Sequence, residues 1–62
     1  MPFIKFEIWP VTTREQREQI AKGVTEVVQQ VLKVPAEVVT VVFNEIRQDH
    51  WAVGGRIVDQ NR

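Results

Sequence analysis

The feature that most restricts the fold of this chain is its short length combined with a complete lack of cysteine. A domain of 62 residues buries only about 60% of the surface of its unfolded chain, and small domains of this kind use disulfides, metals or partner subunits as additional support. The absence of Cys excludes disulfides and thiolate zinc sites, and His50 is the sole histidine, so we expect no metal site. The sequence therefore predicts a single domain over residues 1–62 that is completed by association of chains.

The charge balance argues against two classes of partner. Eight basic and eight acidic residues cancel, so no net field would recruit nucleic acid or an anionic membrane. The apolar stretches are far shorter than the roughly 20 residues that a membrane span requires. The N-terminus also lacks the basic start and long apolar centre of a signal peptide. These observations predict a cytoplasmic protein.

The first half of the chain predicts a strand followed by a helix. Apolar and other side chains alternate over residues 2–9, which is typical of a half-buried strand. Thr12 and Thr13 are each followed three residues later by Glu or Gln, so either one would start a helix with a capping box. The helix should end near Lys33 because Pro35 disfavours helical geometry before it. Its predicted apolar stripe consists of Ile20, Ala21, Val24, Val27, Val28, Val31 and Leu32.

The second half predicts another strand and a small hairpin. Residues 38–43 are almost continuously apolar and β-branched, which suits a strand covered on both faces. Strand, helix and strand form a β-α-β unit with parallel strands, right-handed by strong precedent. Gly54-Gly55 indicates a tight turn that closes a hairpin, and residues 59–62 are interpreted as a loose tail. The fold class is therefore α+β, and the second strand needs a cover that this chain does not contain.

Pro2 is the most informative candidate for chemistry. The chain has no phosphate-binding glycine loop and no metal-ligand spacing, and we interpret His50 as a surface residue near a turn. Removal of Met1 would leave Pro2 as a free secondary amine at the start of a strand. An unperturbed α-amine has a pKa of roughly 7.7–8.0, and apolar surroundings lower that pKa. Such an amine would be neutral near physiological pH, as a general base requires.

Taken together, these segments resemble the 4-oxalocrotonate tautomerase family over nearly the full chain. The most specific pieces are residues 1–4 (Met-Pro-Phe-Ile), 14–16 (Arg-Glu-Gln), 32–35 (Leu-Lys-Val-Pro) and 51–55 (Trp-Ala-Val-Gly-Gly). The resemblance implies a hexamer arranged as a trimer of dimers, with no cofactor and no metal. It further implies an isomerase whose amino-terminal proline moves a proton in a small enol or 2-oxo acid. In this family two arginines bind the substrate carboxylate and polarise its carbonyl, and an aromatic residue closes the pocket.

Only part of the family's site maps onto this sequence. The proline corresponds to Pro2 and the aromatic residue to Trp51, but the arginine positions hold Thr12 and Thr40. A threonine hydroxyl donates a neutral hydrogen bond, which is weaker than the contacts of a guanidinium group. The candidates for the missing positive charge are Arg14, Arg47 and Arg56.

Two functions from different classes therefore stay open. The first is a tautomerase-like isomerase with Pro2 as the catalytic base and with Trp51, Thr12 and Thr40 as substrate-binding residues. Within this class, a cationic Pro2 acting as a general acid would instead serve a dehalogenase or decarboxylase. The second is a catalytically silent subunit of a hetero-oligomer, in which a partner chain carries the arginines. A peptide- or ligand-binding module is a weaker third.

Overall fold

A computed structural model describes residues 2–60 of the chain, without the side chain of Gln60. The predicted removal of Met1 and the last two residues of the predicted tail lie outside the described residues. The helix and strands, in chain order, are β1 (Phe3–Ile8), α1 (Arg14–Leu32), β2 (Thr40–Glu45), β3 (Ala52–Val53) and β4 (Arg56–Ile57). Three single 3₁₀ turns occupy Ala36–Val38, Gln48–His50 and Val58–Gln60.

The predicted β-α-β unit is present, with β1 and β2 paired in parallel. The register runs from Phe3 opposite Thr40 to Ile8 opposite Glu45. The second strand begins two residues later than predicted, so the expected strand over residues 38–43 is wrong at both ends. The reason is local: after Pro35 the chain turns, and the Val39 N–H donates to the Ala36 carbonyl at 3.0 Å instead of joining the sheet.

Helix α1 begins at the second of the two predicted caps. The Gln16 N–H donates to Thr13 Oγ1 at 3.1 Å, and the Thr13 N–H donates to Gln16 Oε1 at 2.9 Å. This reciprocal pair is a capping box, and it satisfies two backbone donors at the start of the helix. At the other end Lys33 adopts a left-handed conformation with φ 58°, and its N–H donates to the Gln29 carbonyl. The predicted bounds of the helix are confirmed.

The apolar stripe of α1 divides into two parts. Ala21, Val24 and Val28 are half-buried. The remaining four members of the predicted stripe, Ile20, Val27, Val31 and Leu32, are exposed. A sheet of two strands about 4.8 Å apart is too narrow to cover a stripe of this width. Four of the seven stripe residues are therefore left exposed in the isolated chain.

The glycine pair closes the predicted hairpin. Gly54 and Gly55 have φ of 61° and 84°, as a two-residue hairpin turn of the I′ kind requires. Strands β3 and β4 pair antiparallel on either side of the turn. The following residues are ordered by a hydrogen bond from the Val58 N–H to the Trp51 carbonyl at 2.9 Å. The prediction of a loose tail is thus wrong for the segment up to Gln60, which forms a 3₁₀ turn.

Residues 2–60 of the isolated chain form no closed core. None of the described hydrophobic residues is buried. The radius of gyration is 14.8 Å, with extents of 44 × 24 × 13 Å, whereas a compact domain of this length would have a radius of gyration of about 10.6 Å. The second strand, expected to be covered on both faces, alternates between half-buried and exposed residues over Thr40–Asn44. Its uncovered face carries Val42 at 36% exposure beside Phe3 at 64%.

The sheet accordingly has a helix-covered face and an uncovered face, which we call the open face. On the open face Phe3 and Val42 lie among exposed polar side chains that include Lys5, Glu7 and Asn44. None of the helices within residues 2–60 has both the length and the apolar character needed to cross a bilayer.

Candidate active site

Pro2 and Thr40 lie side by side where the parallel strands begin, which we call the proline end of the sheet. The Thr40 N–H donates to the Pro2 carbonyl at 3.1 Å, and Thr40 stands opposite Phe3 in the register. Pro2 is half-buried, while Thr40 is exposed. The structure therefore brings together two of the four residues that the sequence nominated, the expected base and one expected substrate-binding hydroxyl.

Trp51 lies at the other end of the sheet, which we call the tryptophan end. Its ring meets that of Trp9 edge to face, with centroids 5.6 Å apart and an interplanar angle of 79°. Trp9 directly follows β1, so Trp51 is separated from Pro2 by the whole strand, about 20 Å at the usual rise per residue. A single chain does not place Trp51 against its own Pro2.

The Trp9 indole N–H is buried and has no hydrogen-bond partner among the described residues. The paired indoles are therefore held by ring packing and buried area. This arrangement fixes the orientation of Trp51 through an apolar contact.

Thr12 is also at the tryptophan end, and a cation holds it in place. Arg17 Nη1 donates to the Thr12 carbonyl at 2.8 Å, to Thr12 Oγ1 at 3.0 Å and to Glu45 Oε2 at 2.9 Å. Glu45 is the last residue of β2 and stands opposite Ile8. Thr12 and Thr40 of one chain thus lie at opposite ends of the sheet, and Arg17 is a positively charged group in direct contact with Thr12.

The three arginines proposed from the sequence are placed elsewhere. Arg14 is exposed on the first turn of α1, and Arg56 is exposed on β4. Arg47 forms an ion pair with Asp49. Arg17 is not among the candidates proposed from the sequence, because it lies in a run of charged and polar side chains typical of the solvent-facing side of a helix. A signal was available, since position 17 precedes Ala21 by four residues and so continues the sheet-facing stripe.

The four residues nominated from the sequence do not come together within one chain. Pro2 with Thr40 and Trp51 with Thr12 form two separate groups, and only chains packed with one proline end near another tryptophan end would unite them. Within residues 2–60 no three His, Asp or Glu side chains cluster in a way that could hold a metal ion.

Known proteins share both the sequence pattern and the fold of this chain. A sequence model of the tautomerase enzyme family matches residues 2–61. A probable tautomerase of Streptococcus mutans is 41% identical over 57 residues, covering 92% of this chain and 93% of that protein.

Two solved structures share the fold. The crystal structure of TomN, a 4-oxalocrotonate tautomerase homologue of the tomaymycin biosynthetic pathway, superimposes with a TM-score of 0.91 at 26% identity, covering 98% of this chain and 94% of TomN. A heterohexamer 4-oxalocrotonate tautomerase from Chloroflexus aurantiacus also superimposes with a TM-score of 0.91, at 22% identity and full coverage of both chains. Fold, length and sequence agree from Pro2 onward, so this chain belongs to the 4-oxalocrotonate tautomerase family.

Proposed function

We propose that this protein is a tautomerase that interconverts the enol and keto forms of a small 2-oxo acid, with Pro2 as the proton-transferring base. The observation that carries the proposal is the position of Pro2. It lies directly before the first strand of a tautomerase fold, and its carbonyl accepts a hydrogen bond from the Thr40 N–H. Thr40 stands at one of the family's two arginine positions. A base is useful only where a donor can meet the charge that develops on the substrate.

The proposed reaction moves one proton and leaves the formula of the substrate unchanged. The neutral Pro2 amine accepts the proton of the enol hydroxyl, and negative charge develops on that oxygen and on the conjugated carbon. The resulting ammonium group returns a proton to carbon, which yields the ketone and regenerates the amine. The side chain of Thr40 or Thr12 would donate a hydrogen bond to the charged oxygen. The amine itself carries the proton, so this step needs no cofactor.

The proposed site is composite, because the nominated residues lie about one strand length apart in a single chain. A neighbouring chain would bring its Trp51 and Thr12 to the Pro2 of the first. Supporting this, the open face exposes Phe3 and Val42 and the described chain buries no hydrophobic residue of its own. We propose a hexamer, the assembly implied by the family resemblance.

The threonines indicate which substrates the site would favour. A muconate-type dicarboxylate requires strong cationic contacts at both ends, and two neutral hydroxyls supply weaker ones. We therefore propose a substrate with one carboxylate and an apolar remainder that packs on Trp51, such as phenylenolpyruvate.

The proposal is tested by comparing processed and blocked forms of the amino terminus. Intact mass first establishes whether Met1 is removed. Ketonisation of phenylenolpyruvate is then followed for processed protein and for a form in which Met1 is retained, whose Pro2 nitrogen is an amide and cannot act as a base. We expect the blocked form to lose nearly all of the rate while its oligomeric state, measured by sedimentation, is unchanged. Equal rates in the two forms would refute the role of Pro2.

A catalytically silent subunit of a hetero-oligomer is the second candidate. The observation in its favour is that threonine occupies both arginine positions, and the fold is shared by a heterohexamer from Chloroflexus aurantiacus. Under this proposal the purified chain alone would be inactive and would gain activity on mixing with a partner chain that carries arginines.

The cytoplasmic location stays a prediction from sequence.

A further inference from the structure

Arg17 is half-buried, whereas the residues on either side of it in the first turns of α1 are exposed. It lies on α1, yet its side chain is only 29% exposed because it reaches over the end of the sheet to Glu45. A single nitrogen, Nη1, makes all the contacts described for Thr12 and Glu45. A guanidinium group carries five N–H donors in a fixed plane, so this geometry places a permanent positive charge one hydrogen bond from Thr12.

The contact also determines what the Thr12 hydroxyl can do. Oγ1 accepts a hydrogen bond from Arg17, so the hydroxyl hydrogen of Thr12 must point away from the guanidinium. That hydrogen is left to donate to another group, and the adjacent cation polarises it. Arg17 also holds the Thr12 carbonyl, which limits rotation of the residue as a whole. Thr12 is therefore an oriented donor.

Thr12 borders an open groove that lies between the first turns of α1 and the loop before it. The groove has a volume of ≈ 550 Å³ and is lined by Val11, Thr12, Gln16, Gln19 and Ile20. Val11 and Ile20 are exposed apolar side chains. A ligand carboxylate could therefore reach the Thr12 hydroxyl from this groove, while the remainder of the ligand extends beyond it.

We propose that Arg17 is a positioning residue that supplies, through the Thr12 hydroxyl, the positive charge for binding the substrate carboxylate, and that Glu45 weakens this charge. The inference rests on the proposed function, because it assumes that Thr12 contacts substrate. It explains how a family member with threonine at this position retains a cationic subsite. Arg17 acts through Thr12 and need not touch the ligand.

Glu45 makes the proposal sharply testable. Glu45→Gln removes the opposing charge and leaves the size of the side chain and its ability to accept a hydrogen bond from Arg17. A carboxylate near Thr12 would then meet a less compensated guanidinium, and Coulomb attraction at a few ångströms predicts several-fold tighter binding. Arg17→Gln should weaken binding by roughly tenfold or more, since a charge-assisted interaction is replaced by a neutral one.

The experiment compares two substrates in the assembled protein. One is phenylenolpyruvate, and the other is its methyl ester, a neutral enol that keeps the conjugated carbonyl group. We expect Glu45→Gln to lower KM for the acid several-fold and Arg17→Gln to raise it, with kcat changed less and with neither effect on the neutral enol. Arg17→Lys should restore part of the loss. Glu18→Gln is the matched control, because it removes an exposed carboxylate next to Arg17 in sequence and should leave both substrates unaffected.

A double-mutant cycle tests whether the charge acts through Thr12. Thr12→Val removes the hydroxyl, so Arg17→Gln should add little to the loss of carboxylate affinity in that background. Fully additive losses would overturn the role of Thr12 as the intermediary. If the contacts among Thr12, Arg17 and Glu45 serve only to stabilise the fold, Glu45→Gln should lower the melting temperature and change KM equally for both substrates. That outcome would overturn the proposal.

Binding of an unreactive carboxylate separates this inference from the proposed function. If the wild-type protein ketonises neither enol, the proposed function fails, and calorimetric titration with phenylacetate still reports on the subsite. Tighter binding of phenylacetate in Glu45→Gln than in wild type would support the inference. Unchanged or weaker binding would overturn it.

Discussion

Replacing Phe3 by Ala should dissociate the assembly, because Phe3 is the most exposed large apolar side chain of the open face. A Phe side chain buries 150–250 Å² when fully covered, and Phe3 is 64% exposed in the isolated chain. Association would therefore cover about 100–160 Å² of it, which corresponds to about 2.5–4 kcal/mol per chain. A symmetric dimer loses this contribution twice, so its dissociation constant should rise at least about a thousandfold.

The assay is sedimentation equilibrium over a range of chain concentrations, with circular dichroism to follow the secondary structure. Phe3→Leu is the conservative control, since it keeps most of the apolar area and should associate like the parent. Lys5→Gln is a second control on the open face of β1. It removes no aromatic side chain, so it should change the dissociation constant much less than Phe3→Ala does. Wild-type behaviour of Phe3→Ala, with an unchanged dissociation constant, would show that the open face is not covered by another copy.

Three further changes test other parts of the molecule. Val28→Asp places a charge on the half-buried, sheet-facing side of α1 and should destabilise folding or assembly, as monitored by circular dichroism, since a carboxylate there loses hydration without gaining a partner; unchanged stability and assembly would contradict the orientation of the helix. Gly55→Ala should lower stability to denaturant by about 1–2 kcal/mol, because φ is 84° there, whereas Gly23→Ala, in mid-helix with open space around it, should raise stability by about 0.5–1 kcal/mol; a destabilising Gly23→Ala would contradict the helical environment. Thr40→Arg should increase kcat/KM for the enol acid by placing a guanidinium beside Pro2, and no gain would argue that Thr40 faces away from the substrate.

Much of the local structure follows directly from residue order. Alternation predicts β1, the Thr12–Glu15 and Thr13–Gln16 pairs together predict the start of α1 to within one residue, and two adjacent glycines predict the hairpin turn. Each of these depends on residues within a few positions of one another, so the sequence carries the information. The start of β2 was misplaced because a β-branched run looks the same whether its first residues form a strand or a 3₁₀ turn after Pro35.

The functional residues show where such reasoning stops. Pro2 and Trp51 can be nominated from the family resemblance, and Thr12 and Thr40 from the positions of its arginines. Their grouping could not be derived, because the distance between two side chains depends on the register of β1 and β2 and on the path of the loops. The contact of Arg17 with Thr12 and Glu45 joins a helix, a loop and a strand end, and sequence periodicity describes each of these only separately.

The sequence by itself determined the α+β class of this chain, through its alternating and helical apolar patterns. Its short length and lack of cysteine also predicted that it has too little material for a core of its own. The tertiary structure decided which apolar residues remain uncovered, and it separated Pro2 from Trp51 by the length of a strand. It also brought the Arg17 guanidinium group into hydrogen-bond contact with Thr12. The physical reason is that local propensities act over a few residues, whereas exposure and electrostatic contact depend on how distant segments pack together.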